Sequence, residues 1–249
     1  MTEPTILYED ADIVAVNKPA GLMVHADGRS TEQTLADWVV KTFPEARDVG
    51  ESIVTDEEII ERPGIVHRLD KETSGAMLVA KTTQGFDLLK SQFMDHSIKK
   101  IYLAFVQGVP KNTRGLIDKP IGRSATDFRQ WSAEGSARGE MRDASTRYVV
   151  KESGHGYSFV QVMIETGRTH QIRVHFKAIR HPLVADKLYG DVKNKPGTVA
   201  ENSVKNPLGF TRVALHSSIL EFTNLEGKRV RVEAPLPEDF VHALNKLSE

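Results

Sequence analysis

The spacing of apolar and polar residues predicts two kinds of secondary structure in this chain. Apolar residues run together or alternate, as in strands, at 13–16, 22–25, 101–106, 146–151, 157–165, 215–222 and 229–233. They recur every three or four residues, as on one face of a helix, at 35–42, 83–94, 169–179 and 240–247. Since both hairpins and helices connect these strands, we expect an α+β fold with a mixed, mostly antiparallel sheet and flanking helices.

Polar and glycine-rich segments separate the predicted elements. Residues 17–21 predict a turn between the first two strands, and Ser30 or Thr31 is suited to cap the first helix. Gly154-His155-Gly156 is expected to turn a hairpin. Residues 45–62 are expected to form an acidic mobile connection and residues 191–209 a flexible loop. Residues 108–145 are expected to form a Gly- and Arg-rich excursion.

The composition is that of a globular protein with a hydrophobic core. The chain has 249 residues, of which 39% are apolar and 27% charged. No apolar run approaches the ~20 residues that span a bilayer, and the acidic N-terminus lacks a signal-peptide pattern. The absence of cysteine excludes disulfides, thiolate metal sites and a cysteine nucleophile, and it suits the cytoplasm. We therefore expect a cytoplasmic protein without membrane contact.

The charges nearly balance overall but are unevenly distributed. The net charge is −1, which by itself argues against RNA binding. Acidic residues dominate 45–61, whereas basic residues cluster within 111–147: Lys111, Arg114, Lys119, Arg123, Arg129, Arg138, Arg142 and Arg147. An acidic loop that masks a basic RNA-binding face and a plainly solvated surface both fit this pattern.

One segment combines several reactive residue types: His67-Arg68-Leu69-Asp70-Lys71-Glu72-Thr73-Ser74-Gly75. Apolar runs at 65–66 and 76–80 predict strands on both sides, and a loop tied at both ends holds a reactive group rigidly. Asp70 and Thr73 are also residue types that cap an ordinary turn. The protein-kinase sequence His-Arg-Asp is excluded, because Leu69 precedes Asp70 and neither a Gly-rich phosphate loop nor Asp-Phe-Gly accompanies it.

This segment resembles the H-R-L-D-x-x-T-S-G signature of the RluA-type pseudouridine synthases. Further segments match that family in its order: Asn17-Lys18-Pro19-Ala20-Gly21, Lys99-Lys100-Ile101-Tyr102-Leu103-Ala104, Pro120-Ile121-Gly122-Arg123, Ala144-Ser145-Thr146, the stretch 166–175, and Leu215-His216. The resemblance covers about 6–247. One departure is Ala185-Asp186, where relatives usually have Gly-Asp.

The resemblance implies an enzyme that flips a uridine out of structured ribosomal or transfer RNA and isomerises it to pseudouridine. It implies that Asp70 acts as nucleophile or base, that Tyr102 stacks on the flipped base, and that Arg173 pairs with Asp70. Contacts to RNA or substrate are implied for Arg68, Arg123, Arg168, His170 and Leu215. Because isomerisation adds and removes no group, no cofactor and no metal are expected.

Two local arguments concern the histidines and Arg173. Arg173 falls in the first turn of its predicted helix, where the helix dipole disfavours a cation, so a specific anionic partner is expected there. His170 and His175 lack the H-E-x-x-H spacing of a zinc site and are predicted to be structural or RNA-contacting. His67 is predicted to pack within its loop rather than to act as a base.

The resemblance also implies a single catalytic domain over 1–249, with a central active-site cleft and no N-terminal S4 RNA-binding domain. RNA is the expected partner, and the protein is expected to be a monomer. A non-catalytic RNA-binding or ribosome-assembly factor on the same fold is the alternative.

Overall fold

The computed structural model describes residues 2–26, 32–54, 59–135, 137–190 and 206–249. These residues form two compact units. The first consists of Met1–Lys100 with Ser217–Pro235, and the second of Ile101–His216 with Leu236–Glu249. Each unit contains a hydrophobic core of its own. None of the helices in the described part of the chain combines the length and apolar character needed to cross a membrane.

The strands, in chain order, are β1 (Thr5–Glu9), β2 (Ile13–Lys18), β3 (Ile53–Val54), β4 (Ile59–Ile60), β5 (Ser74–Ala80), β6 (Lys99–Gln107), β7 (Arg114–Asp118), β8 (Ile121–Ser124), β9 (Trp131–Ser132), β10 (Ala137–Arg142), β11 (Ser145–Gly154), β12 (Tyr157–Ile164), β13 (Leu215–Thr223) and β14 (Arg229–Glu233). The helices are α1 (Leu35–Thr42), α2 (Thr83–Met94), α3 (Gln171–Ala178) and α4 (Glu238–Ser248), with a short 3-10 helix at Pro44–Ala46.

The first unit is a sheet with strand order β1-β2-β5-β13, in which β14 also pairs with β13. The pairs β1–β2, β2–β5 and β13–β14 are antiparallel. Helix α2 spans the predicted residues, because Thr82 caps it by accepting a hydrogen bond from the Gly85 amide. Its Phe86 and Leu89 belong to the same core cluster as Leu78 of β5. The buried strand β5 therefore lies at the centre of this unit.

The entry to α1 differs from the sequence prediction. The predicted caps Ser30 and Thr31 lie outside the described residues, within 27–31. The cap in the structure is Thr34, which forms a capping box with Asp37. The return strand predicted at 22–25 is wrong: the carbonyls of Met23 and Val24 instead accept hydrogen bonds from the first amides of α1, at 2.8 and 2.9 Å. These carbonyls cap a helix and do not join a sheet.

Two other predictions around the first unit need correction. The segment 45–62, predicted to be a mobile connection, contains an antiparallel β3–β4 pair, with 55–58 outside the described residues. The strand predicted at 65–66 is reduced to an isolated bridge between Ile65 and Val79. Most of the predicted flexible loop at 191–209 lies outside the described residues.

The second unit is a sheet with strand order β6-β12-β11-β7, in which β11 pairs antiparallel with both neighbours. Helix α4 packs on this sheet through Phe240, whose ring centroid lies 5.5 Å from that of Phe105. The predicted Arg-rich excursion contains β7 and a separate three-stranded sheet with order β10-β8-β9. The prediction of an α+β fold with a mostly antiparallel sheet is confirmed.

Gly75 occupies a position where any side chain would strain the fold. Its φ is +114°, and a Cβ added there would lie 2.1 Å from the carbonyl oxygen of Ser217 on β13. We expect Gly75→Ala to lower the free energy of unfolding by about 2 to 5 kcal/mol, from backbone strain and overpacking combined. Urea unfolding measures this. Gly167→Ala, where the added Cβ meets nothing within 4 Å, serves as the matched control; equal stability of both variants would contradict the prediction.

Candidate active site

Asp70 lies in a tight turn between buried residues of the first unit. Its carbonyl accepts a hydrogen bond from the Thr73 amide at 3.1 Å, which closes the turn. Leu69 on one side and Thr73 and Ser74 on the other are buried, while Asp70 itself is partly buried. The flanking side chains anchor the turn and leave the carboxylate close to the surface of its unit. This is the kind of placement that a carboxylate reacting with a bound molecule requires.

A fully buried lysine fixes the start of this turn. Lys18, at the end of β2, has no exposed surface, and its Nζ donates to the carbonyls of Pro19, Leu22 and Lys71 at 3.0, 2.8 and 3.2 Å. The amide of Gly21 donates to the same Lys71 carbonyl at 2.8 Å. Since a buried ammonium must be compensated by acceptors, these contacts hold the turn at 19–22 against the residue that follows Asp70.

The two cations next to Asp70 are exposed. Lys71 forms an ion pair with Glu32 at 2.6 Å, and Nη1 of Arg68 lies 3.4 Å from Nε2 of His25. Both cations are on the solvent side of the loop. Arg68 is therefore placed where a bound anion can reach it, as the prediction of an RNA contact requires.

His67 packs in its loop and holds it against β5. Its Nε2 accepts a hydrogen bond from the Leu78 amide at 2.9 Å, and its ring stacks on Phe93 with centroids 4.5 Å apart. Burial, with a smaller contribution from the charge of Lys100, lowers the pKa of His67 to about 3. The imidazole is therefore neutral at pH 7 and too weak a base to accept a proton there, in agreement with the loop-packing prediction.

Arg173 of the second unit has a specific anionic partner on the same unit. It lies in the first turn of α3, and its Nε and Nη2 donate to the two carboxylate oxygens of Asp186 at 2.7 and 2.9 Å. The Asp186 side chain is fully buried. Burial by itself would raise the pKa of Asp186, but the hydrogen bonds and charge of Arg173 hold it below its usual range. Asp186 thus orients the guanidinium.

The backbone before Asp186 explains the departure at Ala185. Ala185 has a φ of +57°, a left-handed conformation that glycine adopts at little cost. Asp186 fixes the turn that follows, since its Oδ1 accepts hydrogen bonds from the amides of Leu188 and Tyr189, both at 3.0 Å. The turn is thus formed with alanine in place of glycine.

Tyr189 connects Arg173 with His170. The Arg173 guanidinium lies 5.0 Å from the centroid of the Tyr189 ring, and the Tyr189 hydroxyl lies 2.8 Å from Nδ1 of His170. His170 stands at the start of α3 with a φ of +55°, which explains why this helix begins two residues later than predicted. The structure thus brings two of the predicted site residues to one buried tyrosine.

The other predicted site residues of the second unit lie on several elements. Tyr102 on β6 and Leu215 at the start of β13 are buried. Arg168 donates from Nε to the Asp143 carbonyl at 3.1 Å. Arg123 is exposed, with its guanidinium 4.6 Å from the centroid of the Trp131 ring. His175, in contrast, is fully buried between Thr146 and the Lys119 carbonyl, so its role is structural.

A sequence model described as RNA pseudouridylate synthase matches residues 12–178. The chain belongs to the RNA pseudouridylate synthase family. The match includes Asp70, Tyr102 and Arg173, and it confirms the family resemblance found in the sequence. The alternative of a non-catalytic RNA-binding factor is not favoured.

Bacterial relatives match this chain over almost its whole length. It is 36% identical to ribosomal large subunit pseudouridine synthase D of Xanthomonas campestris, over 98% of this chain and 69% of that protein. It is 37% identical to the protein of the same name from Pseudomonas aeruginosa, over 99% of this chain and 72% of that protein.

Two solved structures have a fold similar to that of this chain. Human RNA pseudouridylate synthase domain containing 4 superposes with a TM-score of 0.74 at 25% identity, covering 98% of this chain and 92% of that one. Human RNA pseudouridylate synthase domain containing 1 gives 0.72 at 28% identity, covering 94% and 84%.

Sequence reasoning missed three residues that contact the candidate site: Lys18, Asp186 and Tyr189. Lys18 belongs to the Asn17–Gly21 motif, but lysine is rarely fully buried, so its burial is not expected from the sequence. Asp186 was noted only for its turn. No local pattern connects Asp186 or Tyr189 to Arg173, since they lie beyond the end of α3.

The lowered pKa of His67 predicts a pH-dependent stability. Because this pKa is about 3 in the folded chain and 6.5 in a model peptide, the unfolded chain takes up the proton first as the pH falls. The contribution of neutral His67 to the free energy of unfolding is complete above about pH 6.5. It is lost progressively down to about pH 3, by up to about 1.4 kcal/mol per pH unit. His67→Gln keeps an acceptor but cannot titrate, so its unfolding free energy should depend less on pH.

Urea unfolding at a series of pH values measures this difference. If the curves of wild-type protein and His67→Gln ran parallel between pH 6.5 and 4, the pKa of His67 would not be lowered and this prediction would be wrong.

Proposed function

We propose that this chain isomerises uridine to pseudouridine in ribosomal large-subunit RNA, with Asp70 as the catalytic carboxylate. The observation that carries the proposal is the Asp70 turn, closed by Thr73 and held through Lys71 by the buried Lys18. The names of the two bacterial relatives support the RNA substrate. The proposed enzyme acts in the cytoplasm and as a monomer.

The reaction itself calls for few chemical groups. The N1–C1′ bond of uridine breaks, the base rotates, and a C5–C1′ bond forms. The proton on C5 then leaves and N1 takes up a proton, so that no proton is gained or lost overall. Atoms and electrons balance without an oxidant, a reductant or a transferred group, so the residues of the chain suffice for the proposed mechanism. Asp70 either attacks C1′ as a nucleophile or removes a proton from the sugar. Its proposed place is beside the ribose of the flipped nucleotide.

Arg173 is proposed to keep Asp70 ionised and oriented. The bidentate contact with Asp186 occupies Nε and Nη2 of Arg173. A guanidinium carries five N–H groups in a rigid plane, so its contact with Asp186 is compatible with the proposed pairing of Arg173 with the Asp70 carboxylate. Because Asp186 fixes that plane, Asp186 is proposed to be a positioning residue for Arg173.

Tyr102 and Leu215 are proposed to contact the flipped base. Both are buried residues of strands, and strands hold side chains more precisely than loops do. An aromatic ring stacks well on any base, with a contribution of about 1–3 kcal/mol per stacked base. The Tyr102 hydroxyl adds a group for the final removal of the C5 proton.

The exposed arginines are proposed to bind the RNA backbone. Arg123 stacks on Trp131, and the neighbouring Phe128 is 74% exposed, so this face combines cationic and aromatic groups. Arg68 and Arg168 add cations from their own loops. RNA affinity should therefore fall steeply as the salt concentration rises.

The direct test is the Asp70→Asn variant. Asparagine keeps the size and polarity of the side chain but can act neither as nucleophile nor as base. We expect the variant to bind RNA with wild-type affinity and to form pseudouridine at least about 10³-fold more slowly. Pseudouridine mapping in large-subunit RNA, from cells that lack the protein and are complemented with each form, identifies the modified uridine.

The exposed Asp87 of α2, changed to Asn, is the matched control and should restore every modification that the wild-type protein restores. Modification by Asp70→Asn at the wild-type level would remove Asp70 from the chemistry. If even the wild-type protein restored no pseudouridine, the ribosomal RNA substrate would be wrong.

A further inference from the structure

The second unit contains an open cleft lined by polar and basic residues. Its volume is about 340 Å³, and it is lined by Gln107, Gly108, His155, Gly156, Tyr157, Arg180, His181 and Pro182. The lining comes from the end of β6, the β11–β12 hairpin turn and the segment after α3. It contains an arginine and two histidines and no carboxylate.

Arg180 holds an unusual backbone position at the edge of this cleft. It ends α3 in a Schellman motif, in which its amide donates to Lys177 and the His181 amide donates to Phe176, both at 2.9 Å. This motif requires a left-handed residue, and Arg180 has a φ of +65°. Glycine takes that position at little cost, whereas a side chain strains the backbone there. An arginine in a glycine position suggests that its side chain has a use.

His155, in the turn between β11 and β12, also has a left-handed backbone conformation. It occupies the first central position of the turn between Gly154 and Tyr157, with φ values of +52° at His155 and +78° at Gly156. These values are those of a type I′ turn, in which Asn or Gly is preferred. Two strained residues with basic side chains therefore line the same cleft from two separate elements.

The charges of the cleft select its ligand. The Arg180 side chain is exposed and makes no hydrogen bond or ion pair with any other residue that the structure describes. His181 is anchored by its Nδ1, which lies 2.8 Å from the Gln107 carbonyl. A polar cleft with an uncompensated guanidinium and no carboxylate in its lining attracts an anion, and a phosphate oxygen matches the planar donors of arginine.

We propose that this cleft binds a phosphate group of the RNA substrate, with Arg180 as the main contact and His155 as the second. The proposal rests on the proposed function, because it takes RNA as the substrate. It adds a backbone contact that is separate from the residues acting on the uridine. Such a contact positions the RNA and contributes to affinity without reading its sequence.

Arg180→Gly tests the proposal with little danger of unfolding, because glycine removes the cation and the strain together. We expect it to unfold at the wild-type temperature or above it, and to bind a transcript of the modified rRNA segment about tenfold more weakly. The slope of log Kd against log salt should fall by about 1, as for one lost phosphate contact. Arg180→Lys, which keeps the charge, should retain the salt slope.

His155→Gly has a matched control in the other unit. His96 is exposed and also left-handed, with a φ of +61°, so His96→Gly removes the same side chain and the same kind of strain away from the cleft. RNA affinity should fall in His155→Gly and stay unchanged in His96→Gly. If the wild-type protein forms pseudouridine while Arg180→Gly and His155→Gly bind the transcript with wild-type affinity and salt slope, this inference alone is wrong.

A titration with inorganic phosphate distinguishes free phosphate from the RNA backbone as the ligand. On the proposal, phosphate competes weakly with the transcript in the wild-type protein, and this competition is lost in Arg180→Gly along with RNA affinity. Saturable phosphate binding at the His155 ring, followed by NMR, combined with an RNA affinity that Arg180→Gly leaves intact, would make this a site for free phosphate and overturn the RNA assignment.

Discussion

The buried ammonium of Lys18 is the contact on which the proposed site depends. It lies at the end of β2 with no exposed surface and donates to three carbonyls, one of which belongs to the residue next to Asp70. Loss of this donor would leave the buried Leu22 carbonyl unsatisfied, at a cost of about 1–3 kcal/mol, and would leave the Lys71 carbonyl with the Gly21 amide as its donor. The strand, the turn that follows it and the Asp70 loop therefore keep one arrangement, which places the carboxylate reproducibly.

The second unit uses the same physical device for its cation. Arg173 and Asp186 form a largely buried bidentate pair, and Tyr189 lies against the guanidinium. A buried ion pair adds little net stability, but the loss of one partner costs about 3–5 kcal/mol, so the pair specifies a geometry more than it strengthens the fold. Both proposed catalytic partners, Asp70 and Arg173, thus depend on buried polar contacts outside the reacting groups. This agrees with the general need for a supporting layer around a catalytic site.

Much of this organisation was predictable from the sequence, for reasons that differ between elements. The period of apolar residues was sufficient for α2, β12 and β14, because each buries one or both faces against its own unit. The motif around Asp70 was sufficient to identify the family. The segment 22–25 was mistaken for a strand because its apolar residues are buried, while its carbonyls cap α1. The partners of Lys18 and Arg173 were not predictable, because carbonyls and side chains distant in sequence supply them.

On this proposal, Lys18 holds Asp70 in its reactive position. The most direct measurement is the single-turnover rate of pseudouridine formation by Lys18→Met with enzyme in excess over RNA, together with the thermal unfolding of the same sample. Methionine fills the space but donates to no carbonyl. We expect a folded protein with wild-type RNA affinity and a rate reduced about a hundredfold, as for a displaced catalytic group. A wild-type rate in the folded variant would contradict it.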